Sequence, residues 1–177
     1  RAKTARRGIV TAPHHLAARA GLRVIEEGGN AIEAMIAAAS TITVAYPHMN
    51  GLGGDNFWLI SAPGADVIAI DACGAAAAQA DIAYFKSNGV DQIPSRGPLA
   101  ALTVAGAVSG WQAALEVSIK DWGGTLPLKR LLEDAQFYAE DGVAVTDTQA
   151  NSTRTKLPEL VDAPGFSQTF LIDDAPP

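Results

Sequence analysis

Cysteine is almost missing from this chain: among 177 residues there is one, Cys73. That excludes an internal disulfide and a cysteine-based zinc set, and a single thiol assigns no redox compartment. Cationic residues are also scarce, 13 against 19 acidic, and the resulting net charge of −6 excludes the basic footprint of a nucleic-acid binder. The one basic cluster, Arg1, Lys3, Arg6 and Arg7, reads as a solvated terminus. No apolar run reaches the roughly 18–20 residues of a membrane span. The nearest, Ala31 to Tyr46, carries Glu33, Ser40, Thr41 and Thr43, and reads as a buried helix. An initiator methionine, a signal-peptide pattern and a closing element after Asp173 are all lacking, so a trimmed chain or a fragment is expected.

What is present is apolar and small. Hydrophobic residues make up 48% and charged ones 18%, enough for a core and a surplus expected to be buried against a partner. No repeat or linker divides the chain, so residues 1–177 read as one unit. The pattern is α+β. Gly8 to Ala12 reads as a short first strand, and Leu16 to Glu27 as a helix stopped by Gly28-Gly29. Asn30 with Glu33 three residues on reads as a capping box opening an alanine-rich central helix, which Pro47 ends. Phe57 to Ser61 and Val67 to Ile70 read as a hairpin. Further helices are predicted over Asp81 to Lys86, from Ser109 or Gly110 to Asp121, over Pro127 to Glu140 with Pro127 at its first position, and over Asp147 to Lys156. Ile119 is placed on the inward side of its helix, and the tail beyond Pro158 reads as irregular.

The residues with chemical potential do not add up to a catalytic set. Gly51-Leu-Gly-Gly54 follows a helix and precedes a strand, the reverse of the order a phosphate loop needs, so a nucleotide role is set aside. These glycines read as a tight reversal that passes close to neighbouring backbone. His14, His15 and His48 lack carboxylates at ligand spacing and read as capping or ring-packing residues. No metal and no cofactor is expected. Cys73 has no basic residue within ten positions and reads as a small buried hydrophobe rather than a nucleophile. Asp55 and Asp71, each beside a strand end, read as turn-capping carboxylates.

Four ordered stretches nevertheless resemble the gamma-glutamyltranspeptidase family of N-terminal nucleophile hydrolases. HHLAARAGLRVIEEGGNAIEAMIAAA, residues 14–39, is similar to that family's first helix, Gly-Gly-Asn-Ala turn and alanine-rich helix. YPHMNGLGGDNFWLI, 46–60, resembles its Pro-His-x-x-Gly-x-Gly-Gly segment running into a strand. LTVAGAVSGWQAAL, 102–115, resembles its Val-Pro-Gly segment, with Ala105 in place of the proline, and WGGTLPLKRLLEDAQFYAEDGVAV, 122–145, its next helix and Gly-Val turn.

The resemblance implies a precursor that cuts itself into a large and a small subunit. It implies a four-layer αββα sandwich completed by the rest of the protein, with this chain as the N-terminal portion of the large (alpha) subunit. The partner is then the small (beta) subunit of the same precursor. Its N-terminal threonine is the nucleophile and its free amine part of the base, acting on a small-molecule γ-glutamyl amide. No catalytic residue is then expected in this chain, which alone is expected to be inactive. Relatives of this kind are exported or cytoplasmic, so no compartment follows.

One departure bears on the substrate. Where the family reads Asp-x-Arg-Glu, with the arginine holding the substrate's α-carboxylate, this chain reads Asp71-Ala-Cys-Gly74. Cys73 and Gly74 are therefore the candidate substrate-binding residues, and a thiol does not replace a guanidinium fork. The alternative this opens is an acylase or amidase for glutaryl- or cephalosporin-type acyl amides. Arg96 is the candidate substitute cation, and a non-catalytic scaffold is the remaining reading.

Overall fold

The computed structural model describes residues 4–177, so Arg1 and Lys3 lie outside the described residues, while Arg6 and Arg7 are exposed as expected. The predicted strand at Gly8 to Ala12 is absent. Val10 and the Gly8 backbone instead pack on the first helix, Val10 against Gly21 and Gly8 against Ile25, so their apolar character is spent on helix packing rather than on a ladder.

Two helices form the centre. α1, His15–Glu26, is capped by His14, whose Nδ1 accepts the Leu16 N–H at 3.3 Å. α2, Ala31–Ala45, carries the full capping box: the Asn30 side chain accepts the Ile32 and Glu33 N–H groups, and Glu33 returns to the Asn30 N–H. The helix ends before Tyr46, the residue preceding Pro47, where the helical region is disfavoured. Ile36, Ala37 and Ala34 of α2 and Ala20 and Val24 of α1 are buried in one cluster, to which Trp111, Ala114 and Leu131 belong. The alanines let the backbones approach closely, which is why a helix this apolar sits in the middle.

The hairpin is β1, Asn56–Ile60, antiparallel to β2, Ile68–Ala72, with Asn56 opposite Ala72 and Ile60 opposite Ile68. Trp58, Ile60, Ile68 and Ile70 turn inward onto the core, as the two-residue period of a strand requires. The opposite face carries Phe57, 65% exposed, and Leu59, 82% exposed. α3, Ile82–Ser87, is capped by Asp81, whose Oδ1 accepts the Tyr84 N–H at 2.7 Å, and a 3-10 turn follows at Pro98–Ala100.

α4, Ala107–Asp121, starts two or three residues before the predicted Ser109 or Gly110. Trp111, Ala114 and Ser118 hold its buried face, and Ile119, expected inward, is exposed because that spacing rotates it away from the core. The single helix expected from Pro127 is two: α5, Leu128–Leu131, and α6, Glu133–Asp141, with Pro127 at the cap position rather than the first helical one. At the junction the Ser40 hydroxyl reaches the Leu131 carbonyl at 3.4 Å. Arg23 on α1 joins α6 through the buried Asp134 at 2.6 Å.

α7, Asp147–Leu160, runs four residues further than predicted and contains Pro158. The tail is more ordered than its sequence implies: α8, Phe166–Phe170, is followed by a tight turn in which Ile172 and Ala175 bridge across Asp173 and Asp174. The arrangement is thus α+β, helices around one small sheet. Among the described residues no helix is long and apolar enough to cross a membrane.

Candidate functional site

Three segments meet at the outer end of the hairpin: Gly54-Asp55 before β1, Asp71 to Ala75 at and after the end of β2, and Val104 to Ala107 entering α4. The Gly54 carbonyl accepts the N–H groups of Gly106 and Ala107, each at 3.0 Å, and so caps α4, which has no side-chain cap of its own. Asp71 Oδ1 accepts the Cys73 N–H at 2.9 Å, a local turn of the kind aspartate favours. Asp55 Oδ1 accepts the Gly74 N–H at 3.1 Å across 19 residues. Asp71 is thus the turn-holding carboxylate the sequence predicts, whereas Asp55, expected in the same role, ties two separate segments instead. The Val104 N–H then donates to the Ala75 carbonyl at 2.9 Å, and the Ala77 N–H to Leu102 at 3.0 Å.

The glycines that this corner requires are not those of the glycine-rich turn. Gly51, Gly53 and Gly54 have no positive φ, and a Cβ built on Gly53 or Gly54 meets nothing within 4 Å in this chain. The close backbone approach expected there is instead at Gly74 and Gly106. A Cβ on Gly74 would lie 1.5 Å from the Val104 carbonyl oxygen, and one on Gly106 would lie 1.9 Å from that of Ala72. Sequence reading reached Gly74 only through the family motif and missed its physical cause, a partner thirty residues downstream. The one local signal is the Val-Ala-Gly that precedes α4.

The clasped segments line a cleft of about 390 Å³, with Cys73, Gly74, Val104, Ser109 and Ala113 on its wall and no lysine or arginine among its described lining residues. Cys73 is exposed, not buried as its sequence surroundings imply, because the turn that Asp71 closes swings it off the strand. Partial loss of hydration pushes its thiol above the ordinary value, and the charges of Asp55 and Asp71 push in the same direction. A raised pKa favours the neutral thiol over the thiolate. Arg96 does not bring a cation here: its guanidinium pairs with Glu159 of α7 at 2.8 Å, where Lys156 also binds.

The histidines form a ring cluster elsewhere. His14 stacks on His15 with centroids 4.7 Å apart, and Tyr46 meets His48 edge-on at 4.2 Å. Capping and ring packing are what the sequence predicts, and among the described residues no group of three or more His, Cys, Asp or Glu is set to hold a metal. Burial lowers the pKa of His14 and of His48 below the ordinary 6.5, and His15 lowers that of His14 further. The folded state then binds fewer protons than the unfolded one just below pH 6.5, so stability is full above that value and declines as pH falls toward the folded values. His14→Asn keeps a capping oxygen for Leu16 and removes one titrating ring. Thermal unfolding of the complete protein should fall less steeply between pH 7 and pH 5.5 in this variant than in wild type, and equal slopes would exclude His14 as a contributor.

The gamma-glutamyltranspeptidase family model matches residues 17–177, and the chain belongs to that family. It is 57% identical over 165 residues, 93% of this chain and 31% of the relative, to the oxamate amidohydrolase proenzyme of Klebsiella pneumoniae. It is 35% identical to a glutathione hydrolase-like proenzyme of Bacillus subtilis, over 92% of this chain and 30% of the relative. The crystal structure of Helicobacter pylori gamma-glutamyltranspeptidase superimposes with a TM-score of 0.86 at 28% identity, covering 99% of this chain and 50% of that one. The chain thus spans about a third of the length of the curated relatives it matches.

Proposed function

We propose that this chain is the front portion of the large subunit of a self-cleaving amide hydrolase whose substrates lack the γ-glutamyl α-amino-acid end. The rest of the protein supplies a small subunit with an N-terminal threonine. Its hydroxyl attacks the amide carbonyl, its amine takes the proton, and water releases the acyl group. The exposed Phe57 and Leu59 face of the hairpin supports a second sheet packed there, giving the four-layer sandwich. In this reading Cys73 and Gly74 form the wall against which the acyl group lies, and the reaction requires no metal or cofactor.

The observation that carries the substrate reading is a cleft with no lysine or arginine among its described lining residues. A γ-glutamyl head presents a carboxylate that needs a cation, and the cleft wall offers a thiol between two aspartates while Arg96 is engaged on α7. A missing charge-assisted contact costs about 1.5–3 kcal/mol, or roughly tenfold to a hundredfold in affinity. The amide named in the 57%-identical relative, oxamate, has no α-amino-acid end. The complete protein should release ammonia from oxamate with kcat/KM at least about tenfold above that for p-nitroaniline release from γ-glutamyl-p-nitroanilide. A preference for the γ-glutamyl compound would overturn this substrate reading and restore γ-glutamyl hydrolysis or transfer.

A further inference from the structure

We infer that Asp55 is a positioning residue for the acyl group of the substrate: it is not among the described lining residues of the cleft, yet through the Gly74 N–H it fixes the Cys73–Gly74 wall against which the acyl group rests. The inference rests on the reading that this wall faces the acyl group.

The two strands stop pairing at Asn56 and Ala72. Beyond that point the N–H groups of Cys73 and Gly74 have no ladder partner, and backbone donors seek acceptors elsewhere. Two carboxylates take them: Asp71 Oδ1 the Cys73 N–H at 2.9 Å, and Asp55 Oδ1 the Gly74 N–H at 3.1 Å. The two bonds differ in reach. Asp71 closes a turn within its own segment and so does not fix that turn relative to anything else. Asp55 precedes β1 and ties the turn to a separate segment, 19 residues away. Its neighbour Gly54 accepts the Gly106 and Ala107 N–H groups with its carbonyl, each at 3.0 Å. Consecutive residues thus hold both sides of the cleft: Gly54 the entry of α4 through backbone, Asp55 the Cys73–Gly74 wall through a side chain. The Val104 N–H holds the far end of that wall at the Ala75 carbonyl, which leaves Asp55 as the anchor of its near end. Gly74 has no side chain with which to anchor itself by packing, and Val104 fills the space where one would stand. The Asp55 bond is exposed, so its contribution to global stability is small. Its effect is local, because a wall left loose loses binding without losing the fold.

The test measures ammonia release from oxamate and backbone hydrogen exchange in the complete protein. Asp55→Ala removes the acceptor, whereas Asp55→Asn removes the charge and keeps an oxygen for the Gly74 N–H. In Asp55→Ala the peptide containing Gly74 should exchange faster than in wild type. KM for oxamate should rise about fivefold, the equivalent of one net hydrogen bond, with kcat within about twofold of wild type. Asp55→Asn should bring both KM and exchange back to near the wild-type values. Ser118→Ala, which removes a tie in the frame away from the cleft, should leave KM unchanged, so that a rise in KM does not simply report lost stability. An unchanged KM in Asp55→Ala with faster exchange would overturn the inference while leaving amide hydrolysis intact. Equal rises in KM for the Ala and Asn variants would also overturn it, since the acceptor would then not be the cause. Should Asp55→Ala not fold, Asp55→Glu serves: it keeps the charge, displaces the acceptor by a methylene and should raise KM in the same direction, and an unchanged KM there would overturn the inference. Failure of wild type to hydrolyse oxamate would overturn the amide-hydrolase reading itself.

Discussion

Gly74→Ala is expected to cost the complete protein on the order of 3 kcal/mol of stability, the upper end of what overpacking a tight site does. The added carbon would fall 1.5 Å from the Val104 carbonyl oxygen and 2.6 Å from its carbon. Those are backbone atoms, and they cannot swing aside as a side chain would. The segment is pinned on both flanks, by Val104 N–H on Ala75 and by Gly54 on Gly106 and Ala107, so relief requires breaking part of the clasp. The Asp55 bond to the Gly74 N–H would be strained by the same shift. Gly53→Ala is the contrast: its Cβ meets nothing within 4 Å in this chain and its φ is not positive, so a change within about 0.5 kcal/mol is expected. Thermal unfolding midpoints of the two variants decide the matter. Equal midpoints would mean that the Gly74 contact is not a constraint.

Glu33→Ala is expected to lose a similar amount, about 3 kcal/mol, for a different reason. Glu33 is 1% exposed, yet both its oxygens are used: Oε2 accepts the Asn30 N–H at 2.9 Å and Oε1 the Leu126 N–H at 2.8 Å. The first bond closes the cap of α2. The second fastens the loop after α4, 93 residues away. Asn30 adds a third tie, its Nδ2 donating to Ser118 Oγ at 2.8 Å. Removing the carboxylate leaves two half-buried donors without acceptors, and an orphan costs about 1–3 kcal/mol when fully buried. Ser118→Ala removes only the third tie, and the Trp122 carbonyl at 3.4 Å remains for Asn30, so about 1 kcal/mol is expected. Chemical or thermal denaturation of the three proteins should therefore rank wild type, Ser118→Ala, Glu33→Ala. A Glu33→Ala midpoint no lower than that of Ser118→Ala would show that Leu126 finds another acceptor.

The two predictions concern different links in the argument. Glu33 belongs to the frame: it sets how α2 meets the loop that delivers α5 and α6. Gly74 belongs to the candidate site, where stability and substrate preference share the same atoms. A Gly74 variant that folds but shifts its acyl preference would therefore support the corner as a substrate wall, whereas the Glu33 variant should lose stability without changing preference.

The features legible in the sequence were those decided by neighbours in the chain. Asn30 with Glu33, Asp81 before α3 and Pro47 after α2 are local signals, because a cap or a stop is completed within four residues. The hairpin was equally legible from strand period and a Pro-Gly connection. Family membership came from several such local pieces standing in one order. Tertiary structure decided what depends on distant partners. Whether Gly8 to Ala12 is a strand depended on a pairing edge that α1 replaced. Whether Arg96 was free depended on Glu159, 63 residues on. Which glycines are obligatory depended on where another segment's carbonyl lies, so the conspicuous Gly51-Leu-Gly-Gly54 is open in this chain while Gly74 and Gly106 are not. The sequence by itself determined the central helices, the caps of α2 and α3 and the hairpin. Only the packing of three segments decided that Asp55 holds the Gly74 N–H, because a contact across 19 residues is written in no local pattern.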